Sequence, residues 1–280
     1  MDRRALVLGG GGVTGAAWEV GLIAGLAAEG IDLAAADLVI GTSGGAVAGA
    51  QLLSGADPES LYQRQLDPAA GEIAARIGIR LIGRQAWIMM TSSGPTHLRT
   101  RMGKLALRAR TVSAAERRKV IESRLPSHEW PSVPLKLTAV DADSGEFVVF
   151  DAASRVGLVD AVGASCAAPG VWPAVIIEGR RYIDGGIRSP ANADLAAGYE
   201  RVVIMSPLGQ RGGVLPGAEQ QAGDLRAAGS TVVVVSPHQA ARTVIGHDIL
   251  NPQRRAAAAR AGRAQAAAVA AEVRVAWQER

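Results

Sequence analysis

The chain has 280 residues, 48% of them hydrophobic and only 4% aromatic, so it can bury a sizeable core of small aliphatic side chains. Its net charge of +4, with no nucleic-acid motif, does not indicate a nucleic-acid partner, whereas an anionic membrane surface stays open. Cys166 is the only cysteine, which excludes an internal disulfide and a thiolate metal cluster and favours a reducing compartment.

The chain begins with two strand-to-helix units. Residues 5–8 are an apolar run ended by glycines, and residues 13–29 place apolar side chains at helical spacing. Residues 38–40 and 46–53 repeat this pattern around Gly41. Two such units predict a parallel sheet covered by helices.

Because glycines and Glu19 interrupt the first apolar stretch, we expect neither a signal peptide nor a membrane span there. The expected location is the cytoplasm, including the inner membrane surface.

Regular alternation of predicted strands and helices returns in the second half of the chain. Apolar runs predict strands at residues 135–140, 147–150, 174–177, 181–183, 201–205 and 231–235. A helix is expected over residues 156–167 and a long alanine-rich helix over about 251–279. With no linker or internal repeat, residues 1–280 are expected to form a single domain with a basic insertion at about 71–130.

The predicted insertion contains a run of cations without an intervening acid. They are Arg76, Arg80, Arg84, Arg99, Arg101, Lys104, Arg108 and Arg110. Trp87, Ile88, Met89 and Met90 form an apolar group among them that we expect to be exposed. This composition fits a lid or membrane-facing element, and it equally fits a solvated helical insertion.

Ser43 lies in the sequence Gly-Thr-Ser-Gly-Gly between a predicted strand and a predicted helix. This context is that of a nucleophile elbow, a sharp turn that exposes a serine hydroxyl above a helix N-terminus. A serine that only caps the helix is the alternative.

A glycine loop at residues 9–12 precedes the first helix, and its backbone N–H groups can approach an anion closely. Gly10, Gly12 and Gly15 also match the dinucleotide fingerprint GxGxxG. That alternative requires an acid at the end of the second strand, where Gly41, Thr42 and Ser43 stand instead.

Ser43 needs a base. The four histidines, His97, His128, His238 and His247, lie in the basic segment or near the C-terminal region, where we expect surface or packing histidines. An α/β-hydrolase orders its triad Ser, acid, His and places the serine after several strands, whereas Ser43 follows only the second predicted strand. Asp184 ends a predicted strand and is followed by two glycines, although Asp-Gly is also a common turn.

The three glycine-containing blocks together resemble the signature blocks of patatin-like phospholipases. The blocks are residues 10–15, residues 41–45 and residues 184–186, in that order. Residues 164–173 resemble the family's segment ahead of the catalytic acid, and Ser189-Pro190 stands where the family usually has Asn-Pro. Many members carry Arg or Lys where this chain has Thr14.

The resemblance implies a three-layer α/β/α fold around a mostly parallel sheet and a lipid acyl hydrolase without metal or cofactor. Ser43 would be the nucleophile and Asp184 the base of a Ser-Asp dyad. The oxyanion hole would be formed at Gly10, Gly11, Gly12 and Gly44. The other motif positions are Gly15, Gly41, Gly45, Gly185 and Gly186. Expected partners are a lipid or ester substrate and, transiently, a membrane surface. A catalytically silent relative that binds lipid stays open as an alternative.

Overall fold

The computed structural model describes residues 2–68, 71–75, 77–209 and 214–278. Arg76 of the predicted basic segment and Glu279 of the predicted C-terminal helix lie outside the described residues.

The described residues contain one eight-stranded mixed sheet. Its strands are β1 (Arg4–Leu8), β2 (Leu38–Gly41), β3 (Leu135–Asp141), β4 (Phe147–Phe150), β5 (Val175–Ile177), β6 (Arg180–Asp184), β7 (Arg201–Met205) and β8 (Thr231–Val235). Their order is β5-β6-β3-β2-β1-β7-β8, and β4 also pairs with β3. The strands from β3 to β8 in this order are parallel, whereas β4 and β6 run antiparallel to β3. The predicted mostly parallel sheet is confirmed.

Helices cover both faces of this sheet. They are α1 (Gly12–Ala28), α2 (Gly44–Leu52), α3 (Pro58–Leu66), α4 (Ile79–Thr91), α5 (Pro95–Leu107), α6 (Ala114–Arg124), α7 (Leu158–Ser165), α8 (Ala218–Ala227), α9 (Gln239–Ile245) and α10 (Arg255–Trp277). Side chains of β1 alternate between two cores. Leu6 and Leu8 pack in the core that contains α1, α2 and α10, whereas Ala5 and Val7 pack in the core that contains α8. The three-layer α/β/α architecture is therefore confirmed.

The C-terminal helix packs along α1 at very short range. A β-carbon at Gly21 would collide with the Ala259 carbonyl, and one at Gly25 would collide with Ala266. This approach fixes the start of α10 near the glycine loop. The predicted helix start at residue 251 is wrong, because Pro252 begins a short 3-10 turn and the α-helix starts only at Arg255.

From Ile79 onward the basic segment forms helices α4, α5 and α6, and α4 exposes an apolar face. Ile79, Trp87 and Met90 are 85%, 65% and 79% exposed. Ile88 is buried at 8% exposure, so the expectation that it belongs to an exposed apolar group is wrong. It points to the opposite side of the helix, where Gln85 donates to the Pro169 carbonyl at 3.0 Å. Among the described residues, no helix is both long and apolar enough to span a membrane.

Candidate active site

Ser43 occupies a strained turn between β2 and α2. Its φ of 53° and ψ of −116° lie in a region that side-chain-bearing residues rarely adopt. Helix α2 begins at the next residue, so the unpaired N–H groups and the positive end of its dipole lie beside the serine. The backbone thus has the geometry of a nucleophile elbow.

The glycines around Ser43 are required by close contacts between backbones. A β-carbon at Gly44 would lie 2.5 Å from the carbonyl oxygen of Gly12, and one at Gly41 would lie 2.6 Å from Cα of Ala46. At Gly45 it would collide with the Leu8 carbonyl. The serine turn is therefore packed directly against the glycine loop and the end of β1.

Asp184 ends β6, opposite Ala139 of β3, and is only 6% exposed. Burial raises the pKa of this carboxyl to about 6, while hydrogen bonds from the Ser43 side chain and the Gly186 N–H act to lower it. The Gly186 N–H donates to Oδ1 of Asp184 at 2.8 Å. The Ser43 side chain thus lies close enough to the Asp184 carboxyl to affect its pKa.

A buried polar network fixes the ends of the strands beneath the site. The hydroxyl oxygens of Thr42 and Thr138 lie 3.0 Å apart, and Asn192 Nδ2 donates to Oγ1 of Thr42 at 3.0 Å. Asn192 also donates to the Ser189 carbonyl at 2.8 Å. A β-carbon at Gly185 would collide with Thr138. This network holds the turn after Asp184 against the turn that carries Ser43.

The C-terminal end of α7 holds the backbone of Ser43. The Ser43 N–H donates to Oγ of Ser165 at 2.9 Å, and the Cys166 thiol donates to the Ser43 carbonyl at 3.1 Å. Burial raises the pKa of Cys166 to about 11, so the thiol stays protonated and can donate. Cys166 therefore supports the serine turn.

The glycine loop supplies backbone donors beside Ser43. The Gly10 N–H is already committed, because it donates to the Pro190 carbonyl at 2.7 Å. The geometry therefore does not support the predicted role of Gly10 as an oxyanion donor. Within the described part of the chain, no acceptor is bonded to the N–H groups of Gly11, Gly12 and Gly44. These three N–H groups are free to receive an anion.

Thr14 anchors the loop. It is fully buried, and its backbone N–H and its hydroxyl both donate to the Ile249 carbonyl, at 3.1 and 3.3 Å. Gly15 begins the regular hydrogen bonding of α1 by donating to the Gly11 carbonyl at 2.8 Å. Thr14 therefore ties the start of α1 to the segment that leads into α10.

All four histidines are exposed. His97 lies 2.9 Å from the Ser93 hydroxyl, and His128 lies 3.2 Å from the Glu122 carbonyl. Among the described contacts, none joins a histidine to Ser43 or Asp184. The chemistry open to the site is therefore proton transfer between a serine hydroxyl and a carboxylate.

Sequence analysis missed several supporting residues. Ser165 lies in the segment that carries the family resemblance, and this position was the available sign of its role at the site. Asn192 adopts a left-handed conformation with φ of 52°, and no sequence pattern marks it. Arg117 is a buried arginine of α6 whose charge interacts with Asp184, and in the sequence it was one cation among many.

Comparison with known proteins gives a family match. The family described as patatin-like phospholipase matches residues 6–197. None of the curated proteins compared with the chain matches it significantly.

Two solved structures are similar to the chain. VipD from Legionella pneumophila is 13% identical with a TM-score of 0.47, and the alignment covers 97% of this chain and 67% of VipD. The type III effector protein ExoU is 16% identical with a TM-score of 0.44, with 97% of this chain and 53% of ExoU covered. The chain thus spans about half the length of ExoU.

Proposed function

The chain belongs to the patatin-like phospholipase family, and from this premise we propose that it is a serine lipid acyl hydrolase with a Ser43-Asp184 dyad. The observation that carries the proposal is the approach of the Ser43 side chain to the buried Asp184 carboxyl, which acts to lower the pKa of that carboxyl. It occurs at a strained elbow beside free backbone N–H groups. Strain of this kind clusters at functional sites.

In the proposed first step, Ser43 Oγ attacks the ester carbonyl carbon while its proton moves to Asp184. The carbonyl oxygen becomes an oxyanion, which the N–H groups of Gly11, Gly12 and Gly44 stabilise together with the dipole of α2. The tetrahedral intermediate then expels the alcohol, which takes the proton from Asp184. An acyl-serine remains.

In the second step, water attacks the acyl-serine and gives a proton to Asp184. The same N–H groups hold the second oxyanion. Collapse of this intermediate releases the fatty acid, and the Ser43 oxygen regains the proton from Asp184. Acid, base and nucleophile are thus restored without a histidine.

Two other hypotheses were open from the sequence. A dinucleotide site needs an acid after β2, and β2 instead leads into Thr42 and the Ser43 turn. A catalytically silent, lipid-binding relative would have no use for a strained serine in contact with a buried carboxyl. Both observations support the hydrolase.

Hydrolysis assays test this proposal. We expect the protein to hydrolyse a short p-nitrophenyl ester and at least one member of a panel of phospholipids, lysophospholipids and acylglycerols. The folded Ser43→Ala variant should be at background. A folded wild-type protein that hydrolyses none of these esters would instead support the silent relative.

Activity should depend on pH through Asp184. Burial raises the pKa of this carboxyl to about 6, and only its carboxylate form can accept the proton of Ser43. We therefore expect kcat/KM to be constant above about pH 7 and to fall about tenfold per pH unit well below pH 6. A profile on a p-nitrophenyl ester checks this. A midpoint near pH 4 would show an ordinary, solvated carboxyl instead.

We propose that α4 is the membrane-facing element of the enzyme. Its exposed residues Ile79, Ile82, Trp87 and Met90 fall on one side of the helix. Arg80 and Arg84 lie beside a groove that also contains Arg101 and Lys104 of α5. An apolar face flanked by cations suits an anionic bilayer surface. On its inner side, α4 contacts Pro169, in the segment that follows Cys166.

Vesicle flotation tests this surface. We expect wild-type protein to float with anionic phosphatidylglycerol vesicles, and the Trp87→Glu, Met90→Glu variant to bind them several-fold more weakly, because each charge opposes insertion of the apolar face. A matched control replaces Ile176 and Val275, which are 69% and 49% exposed on other elements, by Glu. Equal binding of all three proteins would show that α4 is only a solvated helix.

A further inference from the structure

A cavity of about 200 Å³ adjoins the glycine loop. Gly12 and Gly44, two of the three proposed oxyanion donors, form one part of its wall. The wall also contains Glu72, Arg124 from the end of α6, Arg255 from the start of α10, and the exposed side chains of Arg64 and Asp67. The cavity thus adjoins two of the proposed oxyanion donors and is also lined by charged side chains.

One carboxylate is shared by two arginines in this wall. Arg124 donates to both oxygens of Glu72, from Nε at 2.9 Å and from Nη2 at 2.6 Å. Arg255 Nη1 lies 3.8 Å from Oε1 of Glu72. The side chains of Arg124, Arg255 and Glu72 are only 12%, 16% and 5% exposed. Solvent therefore screens these charges poorly.

A third guanidinium increases the excess of positive charge. Arg117 is 6% exposed, stacks 3.9 Å above the ring of Trp172, and its Nη1 has no hydrogen-bond partner among the described residues. The charge of Arg117 interacts with the charges of Arg124, Glu72 and Asp184. The three buried guanidinium groups thus share the buried carboxyls of Glu72 and Asp184, while the exposed Asp67 and Arg64 of the cavity wall act on Arg255 with opposite signs. Such an excess of buried positive charge is costly unless an anion compensates it.

We propose that this cavity binds the phosphate group carried by the alcohol part of the substrate. The inference rests on the proposed lipid acyl hydrolase function and specifies its substrate class. Within the described residues, Nη1 of Arg124 and Nη1 of Arg255 have no hydrogen-bond acceptor. Guanidinium groups bind phosphate oxygens through paired, charge-assisted hydrogen bonds.

The position of the cavity fits this assignment. In a glycerophospholipid, only the glycerol carbons and one oxygen separate the phosphate from the ester. An ester whose carbonyl oxygen faces the N–H groups of Gly12 and Gly44 can therefore extend its phosphate into the adjoining cavity. A neutral acylglycerol would leave Nη1 of Arg124 and Nη1 of Arg255 without a hydrogen-bond acceptor.

Paired substrates test the assignment in the enzyme. Values of kcat/KM are compared for two substrates that share one ester. The first is glycerol 3-phosphate with a hexanoyl chain on carbon 1, and the second is glycerol with the same hexanoyl chain and no phosphate. We expect wild type to prefer the phosphate compound by about tenfold or more, and Arg255→Gln to lose most of this preference. Arg255→Lys should keep part of it. The matched control Arg260→Gln removes an exposed charge from the same helix and should keep the full preference.

Binding gives a second result that does not depend on hydrolysis. The ether analogue hexylglycerol 3-phosphate, with its alkyl chain at carbon 1, is titrated calorimetrically into the Ser43→Ala protein, with and without Arg255→Gln, and inorganic phosphate is titrated in parallel. We expect the ether to bind more tightly than phosphate, and Arg255→Gln to weaken its binding about tenfold.

The outcomes separate this inference from the proposed function. If both hexanoyl esters are hydrolysed equally well and the ether does not bind, the phosphate site is wrong and the hydrolase stands. If inorganic phosphate binds as tightly as the ether, the cavity holds a free anion and the assignment to substrate is wrong. If the ether binds but no ester is hydrolysed, the hydrolase is wrong and the phosphate site stands.

Discussion

Replacing Asp184 by Asn should lower kcat for ester hydrolysis about 10³-fold, as expected when a general base is removed. Asparagine keeps the shape of the side chain and can still accept from the Gly186 N–H, which bonds to Asp184 at 2.8 Å in the wild type. It cannot take a proton from Ser43. Since the fold should be retained, the loss should appear in steady-state kinetics without a change in the circular dichroism spectrum.

The controls for this prediction are single Gln replacements of the four histidines, His97, His128, His238 and His247. Each is exposed, so each variant should keep kcat within about twofold of wild type, in line with the small effects of most surface substitutions. A folded His→Gln variant as inactive as Ser43→Ala would refute the dyad and require a Ser-His mechanism.

Replacing Gly11 by Ala should lower kcat about 10²- to 10³-fold with little change in KM, the effect of losing an oxyanion donor. The new β-carbon would lie 2.6 Å from Cβ of Pro207 and 2.8 Å from Cα of Gly15. Because both neighbours belong to packed backbone segments, the loop itself must shift. Its N–H groups would then be misaligned with the developing oxyanion, which exists in the transition state and not in the bound substrate.

Gly223→Ala is the matched control for this substitution. A β-carbon at Gly223, within α8, would meet no atom within 4 Å, so this variant should keep wild-type kinetics. Thermal unfolding of both variants checks that they are folded. If folded Gly11→Ala kept its kcat, the glycine loop would have no part in the mechanism. A rise in KM alone would assign the loop to substrate binding.

The sequence predicted those parts of the fold whose residues are buried on both sides. Strands β7 and β8 were expected at residues 201–205 and 231–235 and lie there, because an uninterrupted run of Val and Ile is typical of a parallel strand that is buried on both faces. Helix α1 differs by one residue at each end from its expected bounds. The sequence also predicted that Ser43 and Asp184 each follow or end a strand, because adjacent glycines mark both positions.

The helices between α2 and β3 were not resolved by the sequence pattern. In α4 the apolar residues Ile79, Trp87 and Met90 face solvent, so hydrophobic periodicity does not mark a core-facing side there. The supports of the site depend on contacts between distant parts of the chain. Ser165 meets the Ser43 backbone across 122 positions, and Asn192 meets Thr42 across 150. Only the folded sheet brings these residues together.

The central claim is that Asp184 activates Ser43, and labelling with a fluorophosphonate tests it most directly, because the reagent reacts with an activated serine hydroxyl without requiring the correct lipid substrate. Peptide mass spectrometry should locate a single adduct on Ser43 in wild type and in each His→Gln variant. In Asp184→Asn the labelling rate should fall about 10²-fold or more, since the base is absent. An adduct on another serine, or an unchanged labelling rate in folded Asp184→Asn, would contradict the account.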